Sequence, residues 1–300
     1  MNQSFRMELA LIFDVLYTQT HTHTQTMSCS REEFDDIVTS PEICTLDLAT
    51  VTYFKCQNAF FVICRDGRVF SRGTNFLGTL GYETQGYGMT KKFRLIEELA
   101  GCHVTKVVCV TRSTFFLTKE GDILHGGGRC TLDQPCVQSL TCNGFVDIAS
   151  GIRRTIALHE SGSIFITSGP DKHDIEKTVY ELRAIPQFVI LTTIPEPIRA
   201  IYCGYEHFVA VGTQGDLWGW GRNDKNQLGF LGPQPFEMTT LCVDTPTKTD
   251  RFQDEWDIRC AGFGTIMTNR RNGCSLRFGD DEYDRPQYFF SHFFVDENGI

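Results

Sequence analysis

Cysteine and histidine have the most reactive side chains in this chain, and one group of them is regularly spaced. Cys130, Cys136 and Cys142 are separated by six residues each, and His125 precedes them. Thiolate and imidazole groups bind zinc, but zinc sites usually contain ligand pairs only two to four residues apart. Because that spacing is absent here, the sequence favours free cysteines buried in strands over a metal site.

Two further segments could bind a ligand but fit structural roles better. The Gly-Gly-Gly run at 126–128 could hold a phosphate, but the lysine and the following helix of a phosphate loop are missing, so we predict a strand-end bulge. The acidic segment DDEYD at 280–284 could bind a divalent cation. Calcium loops need a defined ligand order and a turn glycine, which favours a solvated acidic loop instead. We therefore predict no catalytic, cofactor or metal site, and a protein that is not an enzyme.

Bulk composition narrows the class of protein. The chain has 300 residues, a formal net charge of −9 and 13 cysteines. The negative charge argues against binding nucleic acid through the net field, and no apolar run is long enough for a membrane-spanning helix. An odd cysteine count without a disulfide framework favours a reducing compartment, the cytoplasm or the nucleus. The oligomeric state is left open, as a monomer or an oligomer of unspecified size.

The N-terminal part is unlike the rest of the chain. Residues 1–27 contain the low-complexity stretch TQTHTHTQT (18–26), from which we expect a disordered leader upstream of the true start. Its His21 and His23 could bind a metal ion only adventitiously. In 28–45 we predict a short helix and a linker, because Ser30 and Glu33 form a capping box before an apolar helical face at 31–38.

The elements that must position any functional side chain are repeated. Five segments share an apolar strand, a turn glycine, a second apolar strand and a further glycine six or seven residues on. The turn glycines are 41 to 58 residues apart and the second glycines follow them; they are Gly67, Gly121, Gly162, Gly215 and Gly273, then Gly73, Gly127, Gly169, Gly221 and Gly279.

Each copy has the local chemistry of a β-hairpin. The turn glycine supplies the positive φ of a two-residue primed turn, and the flanking residues are rich in Phe, Val, Ile and Leu. Twelve residues before four of the turn glycines stands a small residue preceded by apolar ones, which predicts a further strand in each unit; these residues are Cys109, Ser150, Cys203 and Ala261. Units of three to four strands bury their faces by stacking around an axis. The predicted fold is all-β, a β-propeller over 46–300.

One copy resembles a known repeat closely. The segment CGYEHFVAVGTQGDLWGWGRNDKNQLG (203–229) is similar to the repeat of the regulator of chromosome condensation family. It matches that pattern at Cys203, Gly204, His207, Gly215, Trp220, Gly221, Asn223, Gln227, Leu228 and Gly229. Asn226 replaces a glycine, which is tolerable because asparagine also adopts left-handed backbone conformations.

The other copies fit the same repeat less completely. The copy around Gly67 keeps RGTNFLGTLG (72–81), whereas the remaining three have lost the second half of the pattern. Family members usually close a ring of seven blades, so five recognisable units imply a divergent or incomplete propeller. Residues 292–300 look like the opening of a further unit.

The resemblance also assigns roles to individual residues. His207 could act as a general base, but it occupies the His-Thr position of the family repeat, which implies a structural hydrogen bond between strands. Trp218 and Trp220 lie on the same side of one strand, and we expect that side to pack between blades. Trp256 is the third tryptophan.

The resemblance leaves three functions open. The first is a non-enzymatic scaffold that binds a protein partner through loops on one rim, with no cofactor. The second is a guanine nucleotide exchange factor for a small GTPase, which is the activity of the founding family member. The third is a substrate-recruiting module of a ubiquitin ligase. The segments 170–197 and 230–250 are long enough to be functional loops between blades.

Overall fold

A computed structural model describes residues 51–56, 59–64, 66–75, 78–83, 88–110, 113–127, 136–141, 143–167, 187–231, 242–249 and 256–279. These residues form nineteen strands and two short 3-10 helices, at Glu97–Leu99 and Gly229–Leu231. The strands are β1 (Val51–Cys56), β2 (Ala59–Cys64), β3 (Val69–Asn75), β4 (Gly88–Leu95), β5 (Val104–Val110), β6 (Ser113–Thr118), β7 (Ile123–Gly127), β8 (Val137–Thr141), β9 (Phe145–Ser150), β10 (Thr155–His159), β11 (Ile164–Thr167), β12 (Phe188–Ile190), β13 (Ile198–Cys203), β14 (His207–Gly212), β15 (Leu217–Arg222), β16 (Cys242–Thr249), β17 (Trp256–Ala261), β18 (Gly264–Asn269) and β19 (Ser275–Gly279).

The strands pair in chain order into five antiparallel sheets, numbered sheet 1 to sheet 5. The first four sheets contain β1–β4, β5–β8, β9–β12 and β13–β16, and the fifth contains β17–β19. The first strands of consecutive sheets, β1, β5, β9, β13 and β17, lie next to one another. This is the blade arrangement of a β-propeller, with the first strand of each blade innermost, and it confirms the predicted fold class.

All five turn glycines join the second and third strands of their sheets, but the predicted turn length is wrong. Each has a positive φ, between 72° and 92°. In sheet 4 Gly212 N donates to Asp216 O and Gly215 N donates to Gly212 O, which closes a three-residue loop. Sheets 1 to 3 repeat this pattern, whereas the turn of sheet 5 has four residues. In the three-residue loop the glycine takes the left-handed position of a bulge. The predicted two-residue turn and the observed three-residue loop therefore both need a glycine.

A second geometry shared by two copies of the repeat follows the third strand in sheets 1 and 4. Leu228 N donates to Asn223 Oδ1 at 2.8 Å, and Leu80 N donates to Asn75 Oδ1 at 2.9 Å. Asn226, at the position of a glycine in the repeat, has a φ of 61°. The side chains of Asn75 and Asn223 therefore accept a backbone hydrogen bond that a carbonyl would otherwise accept, and they fix the direction of the chain after the third strand.

The core lies between neighbouring sheets. Four hydrophobic clusters join sheet 1 to sheet 2, sheet 2 to sheet 3, sheet 3 to sheet 4 and sheet 4 to sheet 5. Between the first two sheets the rings of Phe61 and Phe116 meet edge to face with centroids 5.8 Å apart, and both side chains are fully buried. Burial of a phenylalanine of this kind contributes about 2 kcal/mol, so these seams supply much of the stabilisation.

Polar contacts cross the same seams. Thr114 Oγ1 donates to Thr79 O at 2.8 Å between sheets 1 and 2, and Ser150 Oγ donates to Cys109 O at 3.0 Å between sheets 2 and 3. The buried Lys106 ammonium lies 2.6 Å from a carboxylate oxygen of Asp147 on the next first strand. Each of these three contacts joins groups of neighbouring sheets, which helps to fix the alignment of the sheets.

Two segments predicted to be loops between blades contain strands instead. β12 lies within 170–197 and β16 within 230–250, and each is the fourth strand of its sheet. Periodicity missed β12 because it has three residues, and it missed β16 because Pro246 interrupts the strand pattern. The predicted leader at 1–27, the helix and linker at 28–45, the acidic segment 280–284, Gly169 and the opening unit at 292–300 lie outside the described residues.

Two turn glycines provide a matched test of this architecture. A Cβ at Gly121 would lie 2.6 Å from Gly144 N and 2.9 Å from Phe145 N, whereas a Cβ at Gly273 would meet nothing within 4 Å. Both have positive φ, so alanine costs about 1–2 kcal/mol at either position. We predict that Gly121→Ala lowers the free energy of unfolding by about 1–3 kcal/mol more than Gly273→Ala, because it also overpacks the connection to sheet 3. Urea denaturation measures both losses, and equal losses would contradict this packing.

Candidate functional site

The strands place their connections on two opposite faces of the molecule. The five glycine turns and the described connections between sheets occupy one face, which we call the turn face. The opposite face carries the described turns between first and second strands and the described residues that follow the third strands of sheets 1 and 4. On that face, residues 151–154, 204–206, 222–225 and 262–263 of sheets 3 to 5 form a continuous surface, which we call the arginine rim.

Backbone hydrogen bonds join the rim turns of three consecutive sheets. Ile152 N donates to Tyr205 O at 2.8 Å, and Tyr205 N donates to Gly262 O at 2.8 Å. A Cβ at Gly151 would collide with the carbonyl oxygen of Tyr205, so glycine permits this approach. The turns therefore form one backbone-linked platform rather than three independent loops.

Two arginines and two carboxylates form a connected network on the platform. Arg222 holds both carboxylate oxygens of Asp224, with Nε–Oδ1 at 2.7 Å and Nη2–Oδ2 at 2.6 Å. Arg222 Nη1 also donates to Glu206 Oε2 at 2.9 Å, and Arg153 Nε lies 3.4 Å from the other oxygen of Glu206. A planar guanidinium that holds a carboxylate through two parallel hydrogen bonds has a fixed orientation.

The network also sets the charge states of its members. Hydrogen bonds from Arg222 lower the pKa of the Asp224 carboxyl below its ordinary value. Hydrogen bonds to Asp224 and then Glu206 raise the pKa of the Arg222 guanidinium. Both groups are therefore charged at neutral pH, and the network remains an ion-pair cluster.

Aromatic side chains support the network from below. The Arg222 guanidinium carbon lies 5.1 Å from the centroid of the Phe263 ring, and that ring meets Tyr205 edge to face at 5.0 Å. A guanidinium over an aromatic face gains a cation–π interaction in addition to its ion pairs. The arrangement suits recognition of a partner's charged and apolar groups. Within the described ranges, no group of three or more His, Cys, Asp and Glu residues could hold a metal ion.

The two histidines considered from sequence have structural partners. His207 is fully buried, and its Nε2 lies 3.0 Å from Thr265 Oγ1 in sheet 5, which confirms the predicted structural hydrogen bond and places it between blades. His125 Nε2 lies 2.9 Å from Ser113 Oγ in the neighbouring strand. Burial lowers the pKa of both imidazoles to about 4, so both are neutral at physiological pH.

The cysteine prediction is partly wrong. Cys136 is disulfide-bonded rather than free, whereas Cys130 and Cys142 lie outside the described residues. A regular spacing of six residues does not distinguish strand cysteines from paired ones, which is why the sequence did not separate them. Seven other described cysteines are not disulfide-bonded: Cys64, Cys102, Cys109, Cys203, Cys242, Cys260 and Cys274.

The tryptophan prediction is confirmed, whereas the predicted bulge is not found at Gly126 and Gly127, and Gly128 lies outside the described residues. Trp218 and Trp220 are buried in the cluster between sheets 3 and 4, and Trp256 packs against the cluster between sheets 4 and 5. Gly126 and Gly127 end β7, as predicted, but the register shift of this strand lies between Ile123 and Leu124. No helix in the described ranges has the length and apolarity needed to cross a membrane.

Sequence analysis did not single out the rim residues. Their signal is positional: Arg153 and Glu206 each stand two residues after the glycine that follows the first strand, and Arg222 directly follows the second repeat glycine of its copy. Scanning these repeat positions for charge would have found them, because neighbouring blades present equivalent positions side by side.

A family model matches one unit of the chain. The regulator of chromosome condensation (RCC1) repeat matches residues 198–227, which contain β13, β14 and β15 and much of the rim. The chain therefore carries a repeat of this type, in the copy from which sequence analysis inferred it.

Two curated relatives are each 27% identical to the chain over the part that aligns. The secretion-regulating guanine nucleotide exchange factor of Bos taurus is 27% identical over 207 residues, which cover 59% of this chain and 42% of that protein. The E3 ubiquitin-protein ligase HERC2 of Homo sapiens is 27% identical over 177 residues, which cover 55% of this chain and 4% of that protein. The chain thus spans less than half the length of either relative.

Solved structures support the fold. Prp20p from Saccharomyces cerevisiae, a protein described with its binding properties to Gsp1p and histones, matches with a TM-score of 0.57 and 18% identity over 74% of this chain and 56% of that chain. Human WBSCR16 matches with a TM-score of 0.50 and 20% identity over 70% of this chain and 56% of that chain.

Burial of the two histidines predicts a specific pH dependence of stability. The imidazole pKa is about 4 in the folded protein and about 6.5 when exposed, so the unfolded chain takes up protons first as the pH falls. Stability is retained above pH 6.5 and declines between pH 6.5 and 4, by up to about 1.4 kcal/mol per pH unit for each histidine. In His207→Gln the decline should be about half that of the wild type, measured by urea denaturation at several pH values. A loss of stability between pH 6.5 and 4 equal to that of the wild type would contradict a contribution from buried His207.

Proposed function

We propose that this chain, a β-propeller with repeats of the regulator of chromosome condensation type, is a non-enzymatic scaffold that binds a protein partner through the arginine rim. The observation that carries the proposal is the backbone-linked platform of three neighbouring turns, with its network of Arg222, Glu206, Asp224 and Arg153. A surface whose side chains are already fixed loses little conformational entropy when a partner binds.

The chemistry of the rim favours binding over reaction. In its network, guanidiniums and carboxylates pair with one another, and the buried His125 and His207 lie between strands and sheets rather than directed at the rim. Arginine together with aromatic residues is the composition that is enriched where protein interfaces contribute most energy. We place the protein in the cytoplasm or nucleus, which is supported by the seven cysteines that are not disulfide-bonded and opposed by the disulfide of Cys136.

A pull-down with matched variants tests the scaffold proposal. Ile152 lies half-buried on the rim, and Met89 is an exposed apolar residue of β4 in sheet 1. We expect Ile152→Arg to remove the partner that the wild-type chain recovers from a cell lysate, because a long charged side chain then covers the platform. Met89→Arg, the control for added charge, should leave recovery unchanged. Equal recovery with Ile152→Arg and with wild type would contradict binding at the rim.

A second candidate is guanine nucleotide exchange on a small GTPase. It is favoured by the similarity to the secretion-regulating exchange factor and by the fold shared with Prp20p, a protein that binds Gsp1p. The match to HERC2 favours in turn a substrate-recruiting role, which would be a special case of the scaffold. The chain covers less than half of the exchange factor and of HERC2, so the activity of either whole protein is not carried over to this chain.

Release of a fluorescent guanine nucleotide separates the two candidates. For the scaffold we expect the purified chain to leave the release rate unchanged across a panel of small GTPases. Acceleration of release from one of them, lost in Ile152→Arg and retained in Met89→Arg, would replace the scaffold with the exchange factor. A known exchange factor assayed on the same panel controls for the loaded nucleotide.

A further inference from the structure

The arginine rim differs in charge from the chain that carries it. The whole chain has a net charge of −9. The rim has an excess of two positive charges, since its charged residues are Arg153, Arg154, Arg222, Lys225, Glu206 and Asp224. A local positive charge on a negatively charged protein favours a surface that binds a negatively charged group of a partner.

Exposure within the rim is divided by sign. The Arg153 and Arg222 side chains are 50% and 39% exposed, whereas Glu206 and Asp224 are 27% and 15% exposed. The carboxylates are therefore less exposed to solvent than the guanidiniums with which they pair. A partner therefore meets guanidinium edges first, and the acidic groups act as supports.

The supports also fix the direction of the cations. Asp224 holds Arg222 through two oxygens, Phe263 lies beneath the same guanidinium, and Arg222 N donates to Glu206 O at 2.8 Å. Arginine presents five donors, and three of those on the Arg222 guanidinium are used, two by Asp224 and one by Glu206 Oε2. Guanidinium groups that are already oriented bind carboxylates with less loss of side-chain entropy than mobile ones.

We propose that the arginine rim binds an acidic peptide segment of the partner, whose carboxylates pair with Arg153 and Arg222. This inference rests on the scaffold proposal and specifies the chemistry of its partner. Half-buried Ile152 and Phe263 beside the arginines favour a segment in which acidic residues alternate with apolar ones.

Fluorescence anisotropy with a defined probe tests the proposal. The probe is a labelled ten-residue peptide of alternating Glu and Leu, compared with its Lys and Leu counterpart and with a ten-nucleotide single-stranded DNA. We expect the acidic peptide to bind, with affinity falling as salt rises, and the two other probes to bind at least about tenfold more weakly. Absence of acidic-peptide binding, or preference for the basic peptide or the DNA, would overturn the proposal.

A charge-reversed pair locates the binding. Arg153→Glu reverses the most exposed guanidinium of the network, and Arg68→Glu reverses an arginine of similar exposure, 47%, on the turn face. We expect Arg153→Glu to weaken binding of the acidic peptide by about tenfold, one close charge pair, and Arg68→Glu to leave it unchanged. Equal weakening by both variants would show an effect of net charge alone and would overturn the proposal.

The outcome separates this inference from the scaffold on which it rests. If the acidic peptide fails to bind while Ile152→Arg still abolishes recovery of the partner, the chemistry proposed here is wrong and the scaffold stands. If Ile152→Arg leaves recovery unchanged, the rim is not the binding surface, whatever the peptide does. Circular dichroism of each variant confirms that the sheets remain folded.

Discussion

The structure depends on burying the faces of each sheet against its neighbours. A sheet of apolar strands has two faces that must be covered. The four clusters between consecutive sheets cover both faces of sheets 2 to 4, and in sheets 1 and 5 the face that meets the neighbouring sheet. Polar groups also pair across the same seams, as His207 Nε2 and Thr265 Oγ1 do. A sheet cannot shift without exposing apolar surface and breaking such bonds, so neighbouring sheets hold a fixed relation.

The rim is a consequence of that fixed relation. Because first strands lie side by side, their turns meet, and the carbonyl of Tyr205 receives the amide of Ile152 from the preceding sheet. Gly151 is required at this approach because a Cβ would collide with Tyr205. Side chains on these turns acquire defined positions from the packing of the sheets beneath them. The arginine network can therefore be rigid although it is on the surface and built from connecting segments.

How much could be predicted from sequence depended on the range of the interactions. The turn glycines and the pair Trp218 and Trp220 were predictable because positive φ and strand alternation are local properties. The turn length was not, because a two-residue and a three-residue loop both need a glycine with positive φ. The rim was missed because Arg153 and Arg222 come from different sheets and meet only through Glu206. The identity of a single residue does not show which residue of another sheet it contacts. Its position within the repeat does indicate this, because equivalent positions of neighbouring sheets lie side by side.

Hydrogen–deuterium exchange of the complex with its recovered partner is the most direct test of the claim that the rim is the binding surface. We expect slower exchange in the complex for amides at 151–154, 204–206 and 262–263, with the glycine turns at 66–68, 119–122 and 213–216 unchanged. Protection confined to those glycine turns, with unchanged exchange at the rim, would contradict it and would place the partner on the turn face.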